Sequence, residues 1–109
     1  MKVVLQRVKS ASVKVDNVLV SNIESGYLLL WCVEKGDISE DIETLTKKII
    51  NLRIFSDENG KMNKSIIDAG GEILLVSQFT LSGNIQKGNR PSFINSQDPE
   101  IAKKMIDDV

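Results

Sequence analysis

The most strand-like stretch of this 109-residue chain is Glu72-Ile73-Leu74-Leu75-Val76-Ser77-Gln78-Phe79-Thr80-Leu81. Its apolar first half predicts a strand in the core of the domain. Because side chains alternate between the two faces of a strand, Ser77 and Phe79 would point one way and Gln78 and Thr80 the other. Polar side chains therefore interrupt a core strand. Either the strand leaves the core here and begins a loop, or Gln78 and Thr80 line a pocket side by side.

A pocket lined by Gln78 and Thr80 would suit ester chemistry. A glutamine amide and a threonine hydroxyl can each donate and accept hydrogen bonds, so the pair could position an ester, polarise its carbonyl group or orient a water molecule. The chain has no histidine and a single cysteine, Cys32. Those counts exclude Ser-His-Asp and Cys-His catalysis and the usual zinc sites. Cys32 lies in an apolar run and is predicted to be a small core residue. No metal or cofactor is expected.

Further strands are predicted on both sides of a turn at Asp16-Asn17, because Asp and Asn tolerate the conformations of a tight hairpin. The run from Tyr27 to Val33 is continuously apolar and predicts a strand buried on both faces. The hairpin strands are residues 11–15 and 18–23, and two further patterns predict strands at residues 3–8 and 53–55.

Two helices are predicted. Asp37 and Glu40 have the spacing of a capping box, and the apolar positions that follow recur at helical spacing: Ile42, Leu45, Ile49 and Leu52. Asp98-Pro99 is a good start for the second helix, as N-cap and first helical residue; its apolar stripe is Ile101, Met105, Ile106 and Val109. Residues 64–69 are ambiguous. The pattern predicts one α+β domain over residues 1–109, with curled, barrel-like sheets and two helices packed outside.

Composition limits the partners. With 14 Lys and Arg against 15 Asp and Glu, the formal net charge is −1, so the chain lacks the basic excess of proteins that coat DNA. No apolar run is long enough to span a membrane, and the N-terminus meets charged residues too early for a secretory signal. The sequence therefore predicts a cytoplasmic protein that takes a small part of its partner into a pocket.

A second candidate site is the segment from Lys87 to Phe93. Lys87 and Arg90 flank Gly88, which permits a close approach of the backbone to a ligand. Such cations could hold phosphates at an RNA end, and Phe93 could stack on a base. The alternative is a solvated surface loop. Arg7, inside an apolar first strand, either pairs structurally or supports the site.

The run Ser77-Gln78-Phe79-Thr80-Leu81 resembles the signature active-site strand of D-aminoacyl-tRNA deacylases. Other blocks match that family in the same order along almost the whole chain: Gln6-Arg7-Val8, Ala11-Ser12-Val13, Val33-Glu34-Lys35-Gly36-Asp37, Asn51-Leu52-Arg53-Ile54-Phe55, Gly60-Lys61-Met62-Asn63, Gly70-Gly71, Lys87-Gly88 and Arg90-Pro91-Ser92-Phe93.

The resemblance implies a homodimeric, barrel-like α+β fold. It also implies hydrolysis of the ester between a D-amino acid, or glycine, and the 3′-terminal adenosine of tRNA. Residues 77–80 would surround the adenosine and the aminoacyl group. Thr80, with Gln78, would be catalytic, Arg7 would brace the loop that checks chirality, and the RNA 2′-hydroxyl would assist.

Two departures from the family accompany the resemblance. The family's later Gly-Pro pair, which rejects L-amino acids in the neighbouring subunit's site, has no counterpart, since neither Pro91 nor Pro99 follows a glycine. Ser82 also stands where relatives often carry an apolar residue. We therefore expect a chain that lacks the family's C-terminal strands. The alternative function is a non-catalytic binder of tRNA 3′ ends, or a self-associating relic.

Overall fold

The computed structural model describes residues 1–84, 86 and 88–107. In chain order the strands are β1 (Lys2–Val8), β2 (Ala11–Val15), β3 (Val18–Ile23), β4 (Gly26–Cys32), β5 (Phe55–Ser56), β6 (Met62–Lys64) and β7 (Glu72–Ser77). The helices are α1 (Ser39–Asn51), α2 (Ile66–Ala69) and α3 (Pro99–Asp107), and a 3₁₀ turn spans Phe79–Ser82.

The central sheet has three strands in the order β1-β4-β7. Strand β4 lies in the middle of the sheet; Tyr27, Leu29 and Trp31 on one face are buried, whereas Leu28 and Leu30 on the other face are half-buried. It pairs antiparallel with β1 and parallel with β7. The prediction of a strand at residues 27–33 is confirmed, with bounds shifted by one residue, but the face that carries Leu28 and Leu30 is only half-buried. The parallel pairing brings the ends of β4 and β7 to the same edge of the sheet.

The predicted hairpin forms from β2 and β3. Its turn residues Asp16 and Asn17 have φ angles of 50° and 64°. Both values are left-handed, as a two-residue turn of the type favoured in hairpins requires. The sequence signal for this turn is therefore confirmed at the level of backbone angles.

Helix α1 forms where predicted, but its first residues differ from the prediction. Ile38 rather than Asp37 is the N-cap residue, and the Asp41 carboxylate accepts a hydrogen bond from the Ile38 backbone at 2.8 Å. Isoleucine has no oxygen with which to complete a capping box. Asp37 is instead engaged by the chain's N-terminal ammonium at 2.9 Å. A long-range ion pair thus displaced the local cap that the spacing suggested.

The ambiguous segment at residues 64–69 begins at the end of β6 and becomes the short helix α2. Ser65 caps this helix, accepting a hydrogen bond from Asp68 N at 3.2 Å, and Gly70 ends it at φ 66°. The strand predicted at residues 53–55 is shorter and later, because only Phe55 and Ser56 pair with β6. Arg53 instead directs its guanidinium to the Asn63 backbone oxygen at 2.9 Å.

Strand β7 ends earlier than predicted. The alternation expected through Leu81 stops at Ser77, and the chain then turns into the 3₁₀ segment. The last sheet-like bond is from Gln78 N to Trp31 O at 2.8 Å. The strand therefore does leave the core here, which is the first of the two readings that the polar residues allowed.

Helix α3 begins at Pro99 as predicted, and Asp98 caps it through a 3.0 Å bond from Glu100 N. Ala102, Met105 and Ile106 pack against the main core, whereas Ile101 is exposed and Val109 lies outside the described residues. The α+β class is confirmed. The sheets of the described residues have three, two and two strands and do not close into a barrel. Among these residues, no helix has the length and apolarity to cross a bilayer.

Candidate functional site

A cavity of about 680 Å³ lies where the ends of β4 and β7 meet α3. Its wall comes from three separated parts of the chain: Cys32, Val33 and Lys35; Ser77 and Phe79; and Phe93, Ser96–Pro99, Ala102, Lys103, Ile106 and Asp107. The wall combines two aromatic rings, hydroxyl and amide groups and charged side chains. Such a mixture of apolar surface and a few polar groups is typical of ligand pockets.

A second cavity, about 310 Å³, lies between the sheet and α1 and is lined mostly by aliphatic residues. Its two polar groups, the Trp31 Nε1 and Thr46 Oγ1 atoms, have no hydrogen-bond partner among the described residues. None of the predicted site residues reaches it. The chemistry indicated by the sequence therefore lies at the first cavity.

Of the four residues at the end of β7, residues 77–80, only two line the cavity. Ser77 and Phe79 line the cavity, whereas Gln78 and Thr80 do not belong to its wall. The alternation expected of a strand thus separates the pairs, but the pocket lies on the side of Ser77 and Phe79. One of the two readings of the sequence placed Gln78 and Thr80 in a pocket, and the family resemblance placed all four residues around the ligand.

Gln78 and Thr80 contact one another directly. The Gln78 amide Nε2 donates a hydrogen bond to Thr80 Oγ1, so the hydroxyl oxygen is held and its own proton is free to be donated elsewhere. Thr80 is exposed and Gln78 is half-buried. In this arrangement Thr80 is suited to donate a hydrogen bond. It is poorly suited to act as a nucleophile, because an amide cannot remove its proton.

The aromatic pair Phe79 and Phe93 forms one wall of the cavity. Their ring centroids lie 5.3 Å apart with an interplanar angle of 70°, an edge-to-face contact. Phe93 arrives there because Asn84 and Ser92 exchange backbone bonds of 2.8 and 2.7 Å, which folds the intervening loop back. Gly83 permits the approach, since a Cβ there would lie 3.1 Å from the Phe93 ring.

The turn that follows β4 forms the opposite side of the wall. Lys35 N donates to Asn95 O at 3.0 Å, and Gln97 N donates to Val33 O at 3.1 Å. On its other side, the N-terminal ammonium of Met1 lies 2.7 Å from Asp37 Oδ2 and 3.3 Å from Glu34 Oε1. Burial opposes the charge of this ammonium, but hydrogen bonds to Asp37 and Glu34 outweigh it, and the pKa of the group is raised.

Cys32 lies at the floor of the cavity and is buried, as predicted for a core residue. Its Sγ atom lies 3.6 Å from the Phe79 carbonyl oxygen and 3.7 Å from that of Val33. With no histidine in the chain to act as a base, the thiol has no partner for nucleophilic catalysis. The described residues contain no cluster of three or more His, Cys, Asp or Glu side chains able to hold a metal ion.

The remaining predicted residues have different locations. Phe93 lines the cavity, and Arg90 is exposed and outside its wall. Lys87 lies outside the described residues. Arg7 is also outside the wall; its Nη1 donates to the Ile54 carbonyl oxygen at 2.7 Å, which joins β1 to the segment before β5. Of the two readings of Arg7, this contact is the structural pairing.

Several wall residues were not predicted from the sequence: Lys35, Ser96, Gln97 and Lys103. Lys35 belongs to a block that matches the family, which was a usable signal. Nothing local distinguishes Lys103 from the other lysines of α3. It reaches the cavity only because the helix packs across the edge of the sheet, which depends on contacts distant in sequence.

Comparison with known proteins gives a consistent result. The family model described as D-Tyr-tRNA(Tyr) deacylase matches residues 4–109. The chain is 56% identical over 108 residues to the D-aminoacyl-tRNA deacylase of Thermosipho africanus, covering 99% of this chain and 72% of that protein. It is 56% identical over 105 residues to that of Parabacteroides distasonis, covering 96% and 70%.

Solved structures agree with this fold. One described as c-Myc DNA Unwinding Element Binding Protein superposes with a TM-score of 0.93 at 41% identity, covering 99% of this chain and 72% of that one. A probable eukaryotic D-amino acid tRNA deacylase superposes with a TM-score of 0.78 at 19% identity. The second likeness supports the fold alone.

Proposed function

The chain belongs to the D-aminoacyl-tRNA deacylase family, which hydrolyses the ester of D-aminoacyl-tRNA in translational proofreading, and we propose that it performs this reaction at the cavity beside the end of β7. The observation that carries the proposal is that Ser77 and Phe79, from the strand that resembles the family's active site, line a cavity of about 680 Å³.

We propose that the terminal adenine binds against the aromatic pair Phe79 and Phe93. Phe79 is 57% exposed and Phe93 38%, so both rings offer free surface to a ligand while they brace each other. Bases stack on such rings without further hydrogen bonding. A base held there would bring its ribose, and the ester on it, to the neighbouring residues of the 77–80 segment.

The reaction requires water to attack the ester carbonyl carbon, with cleavage of the bond to the ribose oxygen, which takes up a proton. The negative charge that develops on the carbonyl oxygen needs a donor. We assign this role to Thr80, which adjoins Phe79 in the chain but lies outside the cavity wall, because its oxygen already accepts from Gln78 and its proton is free. Ser77 provides a second hydroxyl on the wall. The ribose 2′-hydroxyl lies next to the ester in any such substrate and supplies the assisting group.

The remaining parts of the proposal concern the setting of the enzyme. Glycyl-tRNA is included as a substrate, because glycine has no side chain to exclude. A homodimer is proposed, with a second copy adding groups to a cavity that is open to solvent, and the cytoplasm is the proposed location. Arg90, which lies outside the cavity wall, is proposed to hold RNA phosphates, as is Lys87, and Arg7 is proposed to support the site through β1.

The experiment is steady-state deacylation of D-tyrosyl-tRNA by the wild type, Thr80→Val and Gln78→Ala. Thr80→Val removes the hydroxyl and keeps the shape, and loss of one such donor lowers kcat by about 10²–10³. Gln78→Ala should lower kcat less, because it only orients the hydroxyl. Thr44→Val is the matched control, since Thr44 makes a bond within α1 at 2.9 Å from the Glu40 oxygen. It should retain the wild-type rate.

Three outcomes would each overturn the proposal or one of its parts. A wild type that leaves D-tyrosyl-tRNA intact while binding its 3′ end would indicate the alternative, a non-catalytic binder. An active wild type with an unchanged Thr80→Val variant would remove Thr80 from the reaction. A 2′-deoxy substrate that reacts at the normal rate would likewise exclude assistance by the ribose hydroxyl.

A further inference from the structure

Lys35 is a cavity-wall cation that the family resemblance gives no role. It lies in the turn between β4 and α1 and faces the cavity that also contains Phe79 and Phe93. Within the described residues, its ammonium is in no ion pair within 4 Å. A lysine on the wall of a pocket with no anionic partner is available to a ligand anion.

The turn that carries Lys35 is held from both sides. On one side are the bonds from Lys35 N to Asn95 O and from Gln97 N to Val33 O. On the other, the Asp37 carboxylate accepts from Glu34 N at 2.6 Å and lies 2.7 Å from the Met1 ammonium. A long lysine side chain loses less entropy on binding when its backbone is fixed in advance.

The charges on the wall indicate the size of the anion. Lys35 and Lys103 are balanced by Asp98 and Asp107, so the wall has no net positive charge. Such a wall would not attract a long stretch of RNA, which needs a basic surface. It can accommodate a single phosphate near the lysines. In a 3′-aminoacylated RNA, one phosphate follows directly from the terminal adenosine, the one that joins it to the preceding nucleotide.

We propose that Lys35 binds the phosphate that joins the terminal adenosine to the rest of the tRNA, and that Asp37 is the positioning residue that holds the turn carrying Lys35. This inference rests on the proposed placement of the adenosine against Phe79 and Phe93. It assigns Lys35 to recognition of RNA over a free aminoacyl nucleoside, whereas the 77–80 segment acts on the ester.

The first test compares Lys35→Gln with the wild type on two substrates, D-tyrosyl-tRNA and D-tyrosyl adenosine, which has no phosphate. We expect KM for the tRNA to rise about tenfold, the usual effect of losing one charge-assisted hydrogen bond, with kcat retained. On the nucleoside the variant should match the wild type within twofold. Lys104→Gln, on the same helix as Lys103 but outside the wall, is the matched control and should behave as wild type on both.

The second test addresses Asp37 through a double-mutant cycle with Asp37→Ala and Lys35→Gln. Because Asp37 acts through Lys35, its substitution should raise KM for the tRNA several-fold alone and add nothing in the Lys35→Gln background. Equal effects in both backgrounds, or an equal effect on the nucleoside substrate, would show a general structural role and overturn the positioning role. Thermal unfolding of each variant confirms that the comparison is made on folded protein.

Binding of unacylated CpCpA and of adenosine separates this inference from the proposed activity. If Lys35→Gln weakens binding of CpCpA but not of adenosine, the phosphate contact stands even for a chain that fails to hydrolyse esters. If the variant and the wild type bind CpCpA equally well, the contact is refuted, whatever the activity. The logarithm of the CpCpA binding constant should fall linearly with the logarithm of the salt concentration. Removing one phosphate contact should reduce the magnitude of that slope by about 0.7.

Discussion

Replacing Phe79 by alanine or leucine separates the role of the ring in binding from its role in folding. Phe79 is 57% exposed, so less than half of its side chain stabilises the fold. A fully buried phenylalanine contributes about 1.5–3 kcal/mol, which leaves roughly 1 kcal/mol here. The edge-to-face contact with Phe93 adds about 0.5–1.5 kcal/mol. Phe79→Ala should therefore lower the free energy of unfolding by roughly 2 kcal/mol.

Phe79→Ala should reduce kcat/KM by more than its loss of stability alone would suggest. Stacking of one base on an aromatic ring contributes about 1–3 kcal/mol, which corresponds to a roughly 5- to 150-fold loss in kcat/KM. Phe79→Leu keeps an apolar side chain of similar volume but has no π face. We expect it to retain most of the stability and to lose nearly as much kcat/KM as Phe79→Ala.

The assay pairs deacylation of D-tyrosyl-tRNA with urea unfolding of the same preparations. Phe55→Leu is the matched control, because Phe55 is buried and packs on Tyr27 at a centroid distance of 5.1 Å, away from the cavity wall. It should lower stability and leave kcat/KM near that of the wild type. The reasoning is refuted if Phe79→Leu has normal kcat/KM, because the ring would then act only as apolar bulk.

Three further predictions concern stability. Gly26→Ala would place a Cβ 1.8 Å from the Glu72 carbonyl oxygen, so the β4–β7 pairing must shift; we expect a loss of about 3 kcal/mol or no folded protein in urea unfolding. Ser65→Ala removes the cap of α2 and should cost about 1 kcal/mol by the same measurement, whereas an unchanged midpoint would show that the cap is dispensable. The pKa of Asp57 is lowered, first by the backbone N–H of Lys61, so its contribution to stability is present above its ordinary pKa and is lost as pH falls through the lowered value. Asp57→Asn should therefore flatten the acid limb of the stability profile, and an identical acid limb in both proteins would contradict this.

Local sequence signals predicted those parts of the fold that local physics decides. The turn at Asp16-Asn17 was predictable because few residues tolerate left-handed angles, and the start of α3 because Asp98-Pro99 combines a cap with a preset φ. Strand β4 was predictable because its apolar run has no polar face to expose.

Other features depend on contacts between distant residues and were mispredicted or missed. Strand β7 stops at Ser77, opposite Trp31 of β4, and no pattern in the β7 sequence reveals this end. The same early end puts Ser77 and Phe79, not Gln78 and Thr80, on the cavity wall. Asp37 fits a capping box by spacing but is engaged by the N-terminal ammonium.

The parallel pairing of β4 with β7 also has a consequence for the order of folding. Residues 33–71, 39 in all, separate the two strands, and closing a loop of that length costs about 3 kcal/mol of chain entropy before any pairing repays it. The β2–β3 hairpin is local and should form first. The cavity, which also needs α3, should be the last region to gain protection from hydrogen exchange during refolding. Until β7 pairs with β4, one edge of β4 has no partner strand. This exposed edge makes early folding intermediates prone to aggregation.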